Sequence, residues 1–258
     1  MNTKFKDLKN KNIVITGGSG FIGKQLCDAF LDQGSKVFIL DIKKPKLKSK
    51  SIFFKTDITK ETDLKTFLNF LKERKIKIDV LINGAAKDYV PTKKNINKAK
   101  FSLENFSEKV WKEDLDVGLK GSFLSTKILG SYMAKSKNKG VILNISSDLG
   151  IIAPNQNIYK KNFVKPVSYS VVKHGIIGLT KYTASYWSKK NIRCNAIAPG
   201  GIFNSQDNSF VKKINQLIPL GRMAKKNEYN GLVLFLCSDL SSYITGSIIV
   251  ADGGRTII

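Results

Sequence analysis

The stretch VSYSVVKHG, residues 167–175, holds a tyrosine, a lysine four positions later and the only histidine of the chain. On a helix, Tyr169 and Lys173 stand one turn apart on the same face. A free phenol has a pKa of about 10, too high for a base at neutral pH. An adjacent ammonium stabilises the phenolate and lowers that value. The pair is therefore a candidate acid/base group. His174 is the usual proton carrier near neutrality by type, but it lies about 100° around the helix from Lys173. It reads as a structural residue packed against a neighbouring helix or strand. One histidine and the scattered Cys27, Cys194 and Cys237 make no metal-ligand set, so no metal is expected.

A second cluster lies near the start. TGGSGFIG, residues 16–23, spaces Gly17, Gly20 and Gly23 three apart. Glycines there permit a tight turn and close backbone approach to a pyrophosphate, and a following helix would offer its N-terminal N–H groups. Asp41 falls 24 residues after Gly17. A carboxylate at that distance can accept from both ribose hydroxyls and repel a 2′-phosphate. This favours NAD, while Lys43 and Lys44 close by leave NADP open.

These groups need elements to hold them. Short apolar runs at 12–16, 36–41, 51–55, 78–83, 140–146, 192–198 and 247–252 read as strands. Helical spacing covers 22–33, 60–74, about 107–137, 168–189, 208–217 and 226–238. Apolar strands alternating with amphipathic helices imply a parallel sheet covered on both faces. The expected fold is α/β, a Rossmann-type doubly wound seven-stranded parallel sheet, in one domain over residues 1–258.

Composition narrows the function. Hydrophobic residues make up 42% of the chain, enough for a sizeable core. The net charge is +24, but arginine occurs only at 74, 193, 222 and 255, and the lysines are spread throughout. Diffuse lysine reads as a solvated surface rather than a nucleic-acid site. The runs at 43–51 and 93–100 are dense enough to attract anions. No apolar run approaches the ~18 residues of a membrane span, and the first residues carry no apolar h-region. A cytoplasmic protein with reduced thiols and no membrane partner is expected.

In order and spacing the chain resembles the short-chain dehydrogenase/reductase family over essentially its whole length. The matching pieces are the glycine turn, DIT (57–59), NGAA (83–86), ISS (145–147), YSVVK (169–173), APGGI (198–202) and DGG (252–254). The resemblance implies an NAD(P)-dependent oxidoreductase with Tyr169 as catalytic acid/base and Lys173 as its partner, also on the nicotinamide ribose. A serine polarises the substrate oxygen. SDLG has the family's form and selects Ser147, and by alternation Ser146 faces the other way. The cofactor positions implied are Gly17, Ser19, Gly20, Phe21, Ile22 and Gly23 in the turn, with Asp41 and Ile42 after the second strand. Asp57 and Ile58 would flank the adenine. Asn83, Gly84 and Ala85 would back the adenosine ribose, and Pro199, Gly200 and Ile202 would border the nicotinamide. The long helices imply a homodimer or homotetramer.

Three departures from the family pattern stand out. The glycine turn has the spacing of the family's extended branch, with Phe21 where the single-domain branch has its middle glycine. Gly118 replaces an asparagine that helps hold a water beside the lysine. An insertion at roughly 151–166 separates Ser147 from Tyr169 and should overhang the site, where such loops carry substrate selection. The sequence from GVILNISSDLG onward is similar to a narrower group, the oxidoreductases of flagellin-modification and nonulosonic-acid pathways, in which glycine at this position is usual. This implies a sugar or amino-sugar substrate, phosphorylated or nucleotide-linked. An anion would be read by Lys160, Lys161 and Lys165 in the insertion and by Lys212, Lys213 and Arg222 beyond it. A generic 3-oxoacyl reductase and a non-catalytic dinucleotide-sensing protein are the alternatives.

Overall fold

The computed structural model describes residues 4–45, 50–89, 101–136, 139–160 and 163–258. Seven parallel strands form one sheet in the order β3-β2-β1-β4-β5-β6-β7. They are β1 (Asn12–Thr16), β2 (Lys36–Asp41), β3 (Ile52–Lys55), β4 (Val80–Asn83), β5 (Gly140–Ile145), β6 (Ile192–Pro199) and β7 (Ile248–Ala251). The order reverses between β1 and β4, which opens a crevice at their carboxyl ends.

Because side chains alternate along a strand, each strand feeds two cores. On one face Ile13 and Ile15 pack with Phe30 of α1 (Phe21–Asp32) and with Val233 and Leu236 of α8 (Asn230–Cys237). On the other, Val14, Phe38 and Ile142 pack with Phe67 of α2 (Glu61–Glu73) and with Leu129 and Met133. Cys27, Cys194 and Cys237 are buried free thiols, and burial pushes each up to about 12. Among the described residues no helix is long and apolar enough to cross a membrane.

The helix expected at about 107–137 is a rod with two wide turns. It runs through α3 (Glu108–Leu115), a π turn at Asp116–Lys120, α4 (Gly121–Ser125), a second π turn at Thr126–Gly130, and α5 (Ser131–Lys135). Such turns mark local distortion, often at functional sites. Gly118 lies in the first, where a Cβ would come within 2.5 Å of Val172 Cγ1. Glycine is thus what lets the rod approach α6 (Val167–Tyr186) so closely.

The insertion has an apolar underside. Ile158, Tyr159 and Phe163 are buried with Phe210 and Ile214 of α7 (Asn208–Asn215) and with Met223, in a third core above the sheet's carboxyl edge. Tyr159 stacks on Phe210 at 5.3 Å. Two polar ties secure it to α7 and its N-cap: Lys160 to Asp207 at 2.9 Å and Lys213 Nζ to the Asn157 carbonyl at 3.0 Å.

Candidate active site

The first turns of α6 are docked at three points. Ser168 Oγ donates to Asp114 Oδ2 at 2.6 Å, Ser146 Oγ donates to the Lys173 carbonyl at 2.8 Å, and Lys173 Nζ donates to the Ile145 carbonyl at 2.9 Å. These bonds fix Tyr169 and Lys173 over the end of β5. Lys173 Nζ lies 5.6 Å from the Tyr169 ring centre, and Lys165 Nζ lies closer, at 3.9 Å. Lys165 is itself paired with Asp88 at 2.5 Å.

Ser147 stands just beyond β5. Its hydroxyl donates to Asp148 Oδ1 at 2.7 Å and its oxygen accepts from the Leu149 N–H at 3.2 Å, and it faces the Tyr169 phenol across the cleft. Ser146 points to α6 instead.

Burial governs the charges here. It pushes the Tyr169 phenol well above its ordinary value, Asp88 raises it further, and the Ser147 bond opposes both. Burial also lowers Lys173 to about 8, with Asp88 opposing and Lys165 assisting. This corrects the expectation that the lysine lowers the tyrosine. Desolvation raises the phenol where a neighbouring ammonium alone would lower it.

A cleft of about 800 Å³ joins these residues to the crevice at β1 and β4. It is lined by Gly17, Gly20, Phe21, Ile22 and Gly23 at the amino end of α1, and by Asp41 and Ile42 after β2. The residues fit a dinucleotide. Gly17 has φ of 70°, and a Cβ there would lie 2.7 Å from Ala85 Cα. On Gly23 a Cβ would lie within contact range of the Gly17 carbonyl, so no side chain can occupy the turn. Asp41 accepts from the backbone N–H of Ser19 and of Lys43, both at 3.1 Å, which aims its carboxylate across the turn.

Asp57, Ile58, Gly84, Ala85, Pro199, Gly200 and Ile202 line the same cleft, as do Ser147, Tyr169 and Lys173. Two expected cofactor side chains point elsewhere. Asn83 is buried beneath the cleft, where its amide donates to Thr126 Oγ1 and Asn144 Oδ1. Ser19 Oγ donates to the Lys43 carbonyl at 2.6 Å. His174 does not line the cleft. It is exposed, with Nδ1 2.9 Å from the Ser170 carbonyl, so it is not packed as expected. Of the cations expected to read an anion, Lys165 lines the cleft. Lys160 and Arg222 pair with Asp207 and Glu228. Lys161 and the run at 93–100 lie outside the described residues.

Sequence reasoning missed Asp88, Asp148, Tyr159, Asn204, Gln206 and Arg255, all in the cleft wall. Arg255 carried a signal, as one of four arginines beside the terminal DGG. A small pocket of about 10 Å³ adjoins Lys173 and is lined by Asp114, Gly118 and Ser168. That is the lower limit for one water, at the place of the missing asparagine. Among the described residues no cluster could hold a metal.

A family model described as enoyl-(acyl carrier protein) reductase matches residues 19–256. A 3-oxoacyl-(acyl-carrier-protein) reductase of Thermotoga maritima is 33% identical, covering 97% of this chain and 99% of its own. The post-translational flagellin modification protein A of Campylobacter coli is 29% identical, covering 96% of this chain and 98% of its own. A crystal structure of a short-chain dehydrogenase from Leptospira borgpetersenii with bound NAD+ superposes with a TM-score of 0.90 at 32% identity. That alignment covers 99% of this chain and 97% of the other.

Proposed function

This chain belongs to the short-chain dehydrogenase/reductase family and is an NAD(P)-dependent oxidoreductase, and we propose that it uses NAD to interconvert a hydroxyl and a carbonyl on a sugar or amino-sugar intermediate. The observation that carries the chemistry is the meeting of Ser147, Tyr169 and Lys173 in one cleft that also holds the glycine turn and Asp41. The bound nicotinamide supplies a hydride donor or acceptor. Tyr169 gives or takes the proton at the substrate oxygen, Ser147 turns its hydroxyl from Asp148 to that oxygen, and Lys173 holds the tyrosine side of the site. Asp41 favours NAD over NADP, because a 2′-phosphate would meet its carboxylate.

The sugar reading is supported by the Asn204 amide in a cleft wall that also carries the Tyr159 and Phe210 rings. Similarity to the flagellin modification protein adds to it. An anionic group would be read by Lys165, exchanging Asp88 for the substrate. A 3-oxoacyl substrate is the second reading, favoured by the apolar underside of the insertion. We place cofactor binding and catalysis in one domain, residues 1–258, in the cytoplasm. Phe123, Val171, Tyr182 and Tyr186 are exposed on α4 and α6, and through these helices the chain forms a dimer or tetramer.

The test is absorbance at 340 nm across neutral sugars, sugar phosphates, nucleotide sugars and acetoacetyl-CoA. A sugar phosphate should exceed its dephosphorylated form in kcat/KM, and salt should shrink the difference. Faster turnover of the thioester would put the 3-oxoacyl reading first.

A further inference from the structure

The last turn of the chain reaches the catalytic serine. Asp252 accepts from the backbone of Gly254 at 2.9 Å and of Thr256 at 2.7 Å, folding the DGG segment back on itself. Gly253 and Gly254 take φ of 71° and 92°, a region glycine enters freely. The turn delivers Arg255 inward. Arg255 is 6% exposed, and its Nη1 meets Asp148 Oδ2 at 2.5 Å, 107 residues away in sequence. The other oxygen, Oδ1, takes the Ser147 hydroxyl at 2.7 Å and the Leu149 N–H at 2.8 Å. One chain of contacts thus runs from Tyr169 through Ser147 and Asp148 to Arg255.

We propose that Asp148 and Arg255 are positioning residues for the hydride-transfer reaction: Asp148 holds the Ser147 hydroxyl, and Arg255 locks and neutralises Asp148. This rests on the oxidoreductase chemistry of the site and not on the sugar reading. A buried carboxylate beside a phenol opposes loss of the phenol proton, and a guanidinium on its far side cancels that effect. Without Arg255, Asp148 would also hold the serine proton more tightly, and Ser147 could less readily turn to the substrate. The pair must therefore act as a unit.

The charges facing Tyr169 are Lys173 on its own helix, Lys165 and Tyr159 from the insertion, Asp88 after β4 and Asp148 after β5. Those facing Asp148 are Arg255, Tyr159, Tyr169 and Tyr229. None of the others changes charge in the variants below, so opposite shifts identify the pair.

The experiment compares wild type with Asp148→Asn, Arg255→Met, Arg255→Lys and the double variant D148N/R255M. NAD+ affinity is titrated against pH by calorimetry, and the pH profile of NAD+ reduction is taken with the fastest substrate of the panel above. A cationic nicotinamide favours the phenolate, so the binding midpoint follows the Tyr169 proton. D148N should lower that midpoint and R255M should raise it, each by about one pH unit. R255K should stay near wild type, and the double variant, which removes both charges together, should return from the D148N value toward wild type. Shifts in the same direction overturn the proposal, as does a fall in melting temperature with no shift. If R255M does not fold, D148N alone decides, and an unmoved midpoint refutes the role. If no substrate in the panel turns over, the sugar reading fails while the NAD+ titration still decides this one.

Discussion

Lys165 Nζ sits 3.9 Å from the centre of the Tyr169 ring, which ties the insertion to the proposed acid/base. Asp88 grips the same ammonium from the other side at 2.5 Å. The insertion is therefore held at two points, by Lys160 on Asp207 and by Lys165 over the ring. A partly desolvated cation–π contact contributes on the order of 0.5–2 kcal/mol. Lys165→Met should loosen this clasp, raising proteolysis within residues 151–166 and lowering turnover while the dinucleotide still binds. Unchanged cleavage and turnover would mean that the contact does not hold the insertion.

We assign the cofactor preference to Asp41. Its carboxylate lines the cleft beside the glycine turn, oriented by the N–H groups of Ser19 and Lys43. NADH should bind more tightly than NADPH by fluorescence titration, and Asp41→Ala should narrow the gap. Equal affinities in the wild type would remove Asp41 from this role.

Gly118 has no room for a side chain, since a Cβ would meet the buried Val172 at 2.5 Å. Restoring an asparagine by Gly118→Asn should overpack the contact and cost about 1–3 kcal/mol, read as a lower melting temperature. Adding Val172→Ala should recover part of the loss, because the two sites share one contact. A Gly118→Asn protein as stable as wild type would show that the rod can shift away from α6.

Lys173 should mark the stability profile. Its folded pKa is lowered to about 8 by burial, against about 10.4 in an unfolded chain. Between those values the unfolded state holds the proton that the folded state has released, so this group's contribution to stability rises with pH. The full effect is up to about 3 kcal/mol. From pH 8 to 10, wild type should gain melting temperature relative to Lys173→Met, a difference that removes the background of other lysines. A flat difference would place Lys173 in a more solvated setting than its burial implies.

Much of this was legible in the residues. Periodicity gave the sheet and the helices because apolar strands and amphipathic helices have different repeats. Tyr169, Lys173 and Ser147 were legible because each stands in a short motif at a strand or helix end. Asp148 and Arg255 were not, because a contact across 107 residues leaves no local pattern. The inward face of the insertion was not legible either, because Ile158, Tyr159 and Phe163 follow no regular period, and only packing on α7 shows which face is inward. The elevated phenol was missed because spacing reveals a neighbouring ammonium but not desolvation.

The central claim is that chemistry belongs to Tyr169 and not to the neighbouring histidine. It is tested by steady-state turnover at 340 nm of Tyr169→Phe and His174→Gln, with NADH binding measured on each. Tyr169→Phe, which removes one hydroxyl, should lose roughly 10²–10⁴-fold in kcat with NADH still bound, and His174→Gln should turn over as wild type does. Turnover surviving in Tyr169→Phe, or an equal loss in His174→Gln, would contradict the account.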